Sequence, residues 1–187
     1  HNPWGSHVSS GGSSGGAGSA VMAGIGALAH GNDIGGSLRF PAAANGAVTV
    51  KPGLGRIPAW NSTQKNERGM LAQSMSVQGL LTRSVGDLDL AMPAMVVSDA
   101  HDPFHVPLEY RLASVDAPLR VAFCTETPGF DTHPDVAKAL QNAADALKDA
   151  GYQVEEKNIP FLEETGNCGF RALMGEVSVM MGKDIRE

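Results

Sequence analysis

The first third of the chain shows little hydrophobic periodicity and is rich in glycine, alanine and serine. Residues 17–29 have helical composition with small side chains on every face, which predicts a tightly packed interior helix. Farther along, β-branched runs predict short strands, and a helical spacing of apolar positions predicts a helix that Ser84 caps and Pro93 shortens. These elements are a loop at 30–37, strands at 47–50 and 75–81, a helix at 84–97 and a loop at 101–107.

The second half carries a clearer pattern of strand, helix and strand. Residues 119–124 form an apolar run typical of a buried strand, and Thr132 is expected to cap the helix that follows. The apolar face of that helix consists of Val136, Leu140, Ala143, Ala144 and Leu147. Gly151 predicts the end of the helix, and a strand follows at 152–155. Short links between these elements predict a parallel pair of strands, and a last helix is expected at 168–185.

Length and composition are those of one globular domain, with 187 residues of which 42% are hydrophobic and 18% charged. The net charge of -6, without a cluster of Lys and Arg, argues against nucleic-acid binding. No apolar run is long enough for a transmembrane helix, so no membrane partner is expected. The two cysteines lie far apart and form no disulfide framework, which favours a reducing, cytoplasmic location.

Two glycine-rich loops that carry serine are the most informative feature of the sequence. The first serine loop spans residues 11–16 (Gly-Gly-Ser-Ser-Gly-Gly), and the second spans residues 33–37 (Asp-Ile-Gly-Gly-Ser). Glycine lets backbone approach backbone and adopt positive φ without a steric penalty. A flexible linker is typically rich in glycine and serine and does not require the Asp33, Ile34 and Arg39 found in and after the second loop. The pattern therefore predicts two serines brought to one point rather than two unrelated turns.

This pattern resembles the amidase signature family, whose members are serine hydrolases that cleave amide bonds. The resemblance rests on the spacing from Ser13 to Ser37, on the flanking Asp33 and Arg39, and on the segment 45–53. It implies an α/β fold, with a mixed β-sheet surrounded by helices as in the core of that family. Because family members are much longer, it also implies that residues 1–187 are a single domain forming an internal part of an amidase signature domain.

The resemblance implies hydrolysis of a small-molecule amide by a Ser–Ser–Lys triad, without a metal or organic cofactor. Ser37 matches the nucleophile that forms the acyl-enzyme. Ser13 matches the bridging serine, which follows a cis peptide bond and relays a proton. Asp33 and Arg39 are expected to pair and to give the second serine loop structural support. The backbone amides that match the family's oxyanion hole are those of Ile34, Gly35, Gly36 and Ser37.

The lysine of the triad has no match in this sequence. The family places it well upstream of the first serine loop, but none of the twelve residues before Ser13 is a lysine. Lys51 lies after the nucleophile and does not match the catalytic position. We therefore expect the base to lie outside this chain, and the chain as given to be inactive without it.

Two other functions stay open within the resemblance. One is the A-type component of an amidotransferase, which releases ammonia from glutamine. The nucleophile loop of such proteins tends to carry Thr and Gln where this chain has Ile34 and Phe40, which favours a stand-alone amidase. The other is a non-catalytic fragment that retains the fold, which the missing lysine supports.

Three further motifs have simpler interpretations. Residues 12–16 fit the G-x-S-x-G nucleophile elbow but lack the strand that must precede it. Residues 24–29 fit a relaxed dinucleotide-binding pattern but also lack a preceding strand. His101, Asp102 and His105 are interpreted as solvated loop residues rather than metal ligands, and Trp4 and Trp60 as packing residues.

Overall fold

A computed structural model describes residues 1–63, 68–111 and 118–182. The chain divides into two compact units, residues 1–111 and 112–187. Both units combine helices with a small β-sheet, which confirms the predicted α/β class. None of the helices in the described ranges is both long and apolar enough to cross a membrane.

Unit 1 contains a three-stranded antiparallel sheet with β3 in the middle. β1 pairs with β3 from Leu28 opposite Thr82 to Asp33 opposite Val77, and β2 lies along the other edge of β3. The strands are β1 (Leu28–Asp33), β2 (Val48–Thr49) and β3 (Val77–Thr82). The helices are α1 (Gly15–Met22), α2 (Arg39–Asn45), α3 (Met70–Met75) and α4 (Val85–Met95).

Two clusters of buried side chains pack against the sheet. Leu81 packs with Leu38 and Ala42 of the α2 region, whereas Leu80 packs with a second cluster. The other members of that second cluster are Ile57, Leu88 and Met92. Because neighbouring residues of a strand face opposite sides of a sheet, α2 and α4 cover opposite faces of β3. The second serine loop, which joins β1 to α2, therefore lies at one end of this packed layer.

The predicted helix at 17–29 and the predicted loop at 30–37 are wrong in part. The helix α1 ends at Met22, and β1 occupies Leu28–Asp33. Gly24 and Gly26 have φ of 80° and 89°, a conformation that stops a helix. At Gly31 a Cβ would lie 2.6 Å from Ser14 Oγ, so the strand approaches the first serine loop through a glycine.

The other predicted elements of unit 1 are confirmed with small changes of boundary. β2 and β3 occupy the two predicted strand regions. Ser84 caps α4, because its Oγ accepts a hydrogen bond of 3.1 Å from the amide of Asp87. The helix runs through Pro93 and ends at Met95, two residues short of its predicted end.

Unit 2 contains the predicted strand, helix and parallel strand. β4 (Arg120–Phe123) pairs with β5 (Gln153–Glu156) in parallel, with α5 (Pro134–Asp149) between them and α6 (Leu162–Met181) after them. The side chains of β4 alternate between exposed and half-buried, so the prediction of a buried strand is wrong for the described residues.

Two helix boundaries in unit 2 also differ from prediction. His133 rather than Thr132 caps α5, because its Nδ1 accepts the amide of Asp135 at 3.2 Å. Gly151 follows the helix with φ of 91°, as expected of a residue at a helix end. The last helix begins at Leu162, six residues before its predicted start, and its predicted end at Ile185 lies outside the described residues.

Candidate active site

The structure brings the two serine loops into direct contact. The amide of Ser14 donates a hydrogen bond of 3.2 Å to the carbonyl of Ser37. The Ser14 hydroxyl also lies 3.3 Å from the carbonyl and 3.4 Å from the amide of Asn32, at the end of β1. The first serine loop is therefore joined both to the second loop and to β1, the strand that leads into it.

The two serines assigned to catalysis are accessible. Ser13 is exposed and Ser37 is half-buried. Within residues 1–63, 68–111 and 118–182, neither hydroxyl forms a hydrogen bond, so a direct bond between them stays a prediction. The Gly12–Ser13 peptide is cis, as the resemblance implies for the bridging serine.

The second serine loop is organised around the carboxylate of Asp33, which is fully buried. One oxygen accepts the amide of Gly36 at 2.8 Å, and the other accepts the amides of Leu38 and Arg39 at 3.2 and 3.3 Å. The Arg39 guanidinium adds two hydrogen bonds, of 3.0 Å from Nε and 2.9 Å from Nη2. The expected pairing of Asp33 with Arg39 is thus present, and it is bidentate.

These hydrogen bonds determine the ionisation state of the Asp33 carboxyl group. Burial alone raises the pKa of Asp33, but the bonds from Arg39 and from the amides of Gly36 and Leu38 outweigh it and hold that pKa far below its ordinary range. The hydrogen bond to Asp33 raises the pKa of Arg39. Asp33 is therefore a fixed negative charge at neutral pH, and it takes no part in proton transfer there.

The amides expected to form an oxyanion hole are not equivalent. The amide of Gly36 is already bonded to Asp33. Among the described residues, the amides of Ile34, Gly35 and Ser37 have no hydrogen-bond acceptor. Those three amides remain free to donate a hydrogen bond, and the bond at Gly36 fixes the backbone between them. Gly36 has φ of 109°, a conformation that glycine adopts without strain.

The segment that leads into the first serine loop is held by two carboxamides that the sequence-based prediction did not include. Asn45 is fully buried, and its Nδ2 donates to the carbonyls of Ser10 and Pro41, both at 2.8 Å. The Nδ2 of Asn2 donates to the carbonyls of Ser9 and Ala44, at 2.9 and 2.7 Å. One feature of the sequence could have indicated this role of Asn45, which is an asparagine at the end of an alanine-rich helix. Asparagine has a low helix propensity, so its presence there suggests that its side chain makes other hydrogen bonds.

Trp4 and Trp60 both make specific contacts. The Trp4 ring is 71% exposed, and its Nε1 donates to the carbonyl of Asn45 at 2.7 Å, so it does more than pack. Trp60 stacks on His101 with ring centroids 4.2 Å apart.

Hydrogen bonds within the loop and one from Ala59 hold the loop at 101–107. His101 Nδ1 lies 2.8 Å from Asp99 Oδ1, and hydrogen bonds from the amide and ring of His101 lower the pKa of Asp99. Asp102 accepts the amides of Ala59 and Phe104. Among the described residues, no three His, Cys, Asp or Glu side chains come together as a metal site requires.

Comparisons with known proteins identify the family to which the sequence is similar. A family model described as Amidase matches residues 1–185. The indoleacetamide hydrolase of Bradyrhizobium japonicum is 47% identical over 179 residues, which are 96% of this chain and 38% of that protein. The A-type component of the glutamyl-tRNA(Gln) amidotransferase of Staphylococcus aureus (strain Mu3 / ATCC 700698) is 35% identical over 164 residues, covering 85% of this chain and 33% of that protein.

A solved structure supports the same relationship. The 6-aminohexanoate cyclic dimer hydrolase, complexed with substrate, superimposes with a TM-score of 0.73 and 33% sequence identity. The match covers 84% of this chain and 33% of that one. The chain thus spans about a third of the length of the relatives it matches.

Proposed function

The chain belongs to the amidase family, and we propose that it carries the nucleophile of an enzyme that hydrolyses a carboxylic amide to the acid and ammonia or an amine. The observation that carries this proposal is the hydrogen bond between Ser14 and Ser37, which joins the two serine loops. Amide hydrolysis needs a nucleophile, a proton acceptor and donors for the oxyanion. The two loops offer the first and the third of these.

In the proposed reaction Ser37 Oγ attacks the amide carbonyl carbon and forms the acyl-enzyme. The Ser37 proton passes to Ser13 Oγ, which gives its own proton to a neutral lysine supplied from outside this chain. The amides of Ile34, Gly35 and Ser37 stabilise the oxyanion. The amine leaves with a proton returned along the same path, and water then hydrolyses the ester to release the acid and restore the Ser37 hydroxyl.

We propose the primary amide of an arylacetic acid as the substrate class, and indoleacetamide as the first compound to test. The support is the 47% identity to an indoleacetamide hydrolase. A second candidate is release of ammonia from glutamine, which the 35% identity to the A-type component of an amidotransferase favours. Assays of the complete protein with both amides separate the two candidates.

The test of the nucleophile is Ser37→Ala in the complete protein. A serine-reactive phosphonate should label the unmodified protein and fail to label the variant, and kcat should fall on the order of 10⁶-fold. Ser13→Ala should lower kcat by about 10²–10⁴-fold, as expected for a lost proton relay. Ser98→Ala, at an exposed position outside both loops, is the control. Labelling that survives in Ser37→Ala would show the nucleophile assignment to be wrong.

A further inference from the structure

Asn45 connects the segment before Ser13 to the helix after Ser37 through one buried amino group. The Nδ2 of Asn45 donates to the carbonyl of Ser10 at 2.8 Å and to the carbonyl of Pro41 at 2.8 Å. Ser10 lies shortly before Ser13, and Pro41 lies in α2 shortly after Ser37. A short stretch of backbone therefore connects each serine to a carbonyl that the Asn45 side chain binds.

Asn2 repeats this arrangement at neighbouring positions of both segments. The Nδ2 of Asn2 donates to the carbonyl of Ser9 at 2.9 Å and to the carbonyl of Ala44 at 2.7 Å. Its Oδ1 accepts the amide of Trp4, whose Nε1 in turn donates to the carbonyl of Asn45. Consecutive carbonyls of the segment before Ser13 are thus bound by two carboxamides, and these are linked to each other through Trp4.

The burial of these carboxamides makes their bonds costly to lose. Asn45 is 0% exposed and Asn2 is 4% exposed, so neither carboxamide could exchange its hydrogen bonds for bonds to water without moving. The Oδ1 of Asn45 is buried without a hydrogen-bond partner among the described residues. An unpaired buried acceptor is a cost that a residue serving only to fill space would not carry. The contribution of Asn45 therefore lies in what its amino group holds.

From this geometry we propose that Asn45, supported by Asn2, is a positioning residue that sets the Ser13 hydroxyl relative to the Ser37 hydroxyl. The inference rests on the proposed function, because it assigns Asn45 an effect on the proton relay. A proton relay depends steeply on the separation of its two oxygens. Loss of the Asn45 amino group removes no atom of Ser13, of Ser37 or of the oxyanion amides, so its effect should fall on the spacing of the two hydroxyls.

The test is Asn45→Ala in the complete protein, measured with and without Ser13→Ala. In the unmodified background kcat should fall about 10- to 100-fold, while KM changes by less than about threefold. If Asn45 acts through Ser13, the same substitution in the Ser13→Ala background should change kcat by less than about twofold. Equal losses in both backgrounds, or no loss in the first, would overturn the proposal. Asn142→Ala, at an exposed position of α5, is the matched control.

A second variant keeps the test decisive if Asn45→Ala does not fold. Trp4→Phe keeps an aromatic ring at a position that is 71% exposed, but it shortens the ring and removes the N–H bonded to the backbone carbonyl of Asn45. It should lower kcat about fivefold, the equivalent of one hydrogen bond, and only when Ser13 is present. Ser37→Ala separates the two claims. If that variant keeps its activity, the proposed function fails, and if it is inactive while Asn45→Ala and Trp4→Phe both match the unmodified protein, only this inference fails.

Discussion

In the second serine loop, a buried charge inside the loop provides the order, whereas in the first serine loop neutral amides from elsewhere in unit 1 provide it. Asp33 accepts its hydrogen bonds from residues at most six positions away. The segment leading into the first loop is bonded to Asn45 and to Asn2. Two loops with similar glycine and serine content are therefore fixed by different chemistry.

The positions of the two serines therefore depend on two different kinds of interaction. The second loop contains the acceptor of most of its hydrogen bonds, so its geometry depends directly on the ionisation of Asp33. The first loop depends on distant packing, because the bond from Asn45 to Ser10 spans 35 positions. Changes in pH should therefore act on the second loop, and changes in packing should act on the first.

The largest expected effect comes from Asp33→Ala. The substitution removes a fully buried acceptor and leaves the amides of Gly36 and Leu38 without their partner. The free energy of unfolding should fall by about 2–4 kcal/mol, since a buried donor left unpaired costs about 1–3 kcal/mol, whereas Arg39 is more than half exposed and can be solvated. Urea unfolding of the complete protein measures it. Asp145→Ala, at an exposed pair with Lys148, should cost less than about 1 kcal/mol. A similar loss in both variants would contradict the comparison.

Gly11→Ala tests the dependence of the first loop on packing. Gly11 has φ of 70°, and a Cβ there would lie 3.0 Å from the backbone nitrogen of Pro41. Because backbone cannot move aside as a side chain can, the free energy of unfolding should fall by about 1–3 kcal/mol. Gly16→Ala is the matched control, since a Cβ at Gly16 meets nothing within 4 Å. That control should be neutral or stabilising by up to about 1 kcal/mol in the same unfolding experiment.

The smallest expected effect is the change in the free energy of unfolding per pH unit that comes from Asp33 in the second serine loop. The pKa of Asp33 is lower in the folded protein than in the unfolded chain, so the unfolded chain takes up a proton first as the pH falls. The stability from Asp33 is therefore complete above the unfolded-state pKa of about 4, and it is lost at about 1.4 kcal/mol per pH unit below it.

Unfolding curves at several pH values test this expectation. The stability difference between the unmodified protein and Asp33→Asn should shrink as the pH falls below about 4. The difference caused by Asn2→Ala should stay constant over the same range, because a carboxamide does not titrate. A pH-independent difference for Asp33→Asn would show that the carboxylate does not govern the loop.

Local signals account for the elements that the sequence predicted. Ser84 at a helix start, Gly151 after a helix end, and the apolar face of α5 each act within a few residues, so they are visible in the printed sequence. The pair of Asp33 and Arg39 is visible for the same reason. The predicted N-cap of α5 is one residue early because threonine and histidine both precede Pro134, and only the structure shows that His133 accepts the bond.

Long-range contacts account for what the sequence did not predict. β1 has the sequence Leu-Ala-His-Gly-Asn-Asp, which lacks the β-branched residues typical of strands. It is a strand because β3 pairs with it and because Gly31 admits the Ser14 side chain. The bond from Asn2 to Ala44 spans 42 positions, and no pattern along the chain indicates it.

The position of the Ser14 hydroxyl has a consequence for the edge of the sheet. Within the described residues β1 is an outer strand, and outer strands offer free backbone groups to any further strand. Ser14 Oγ takes up both the amide and the carbonyl of Asn32. A strand added along β1 would have to stop before Asn32. The hydroxyl thus keeps an added strand from reaching Ser37 and the rest of the second serine loop.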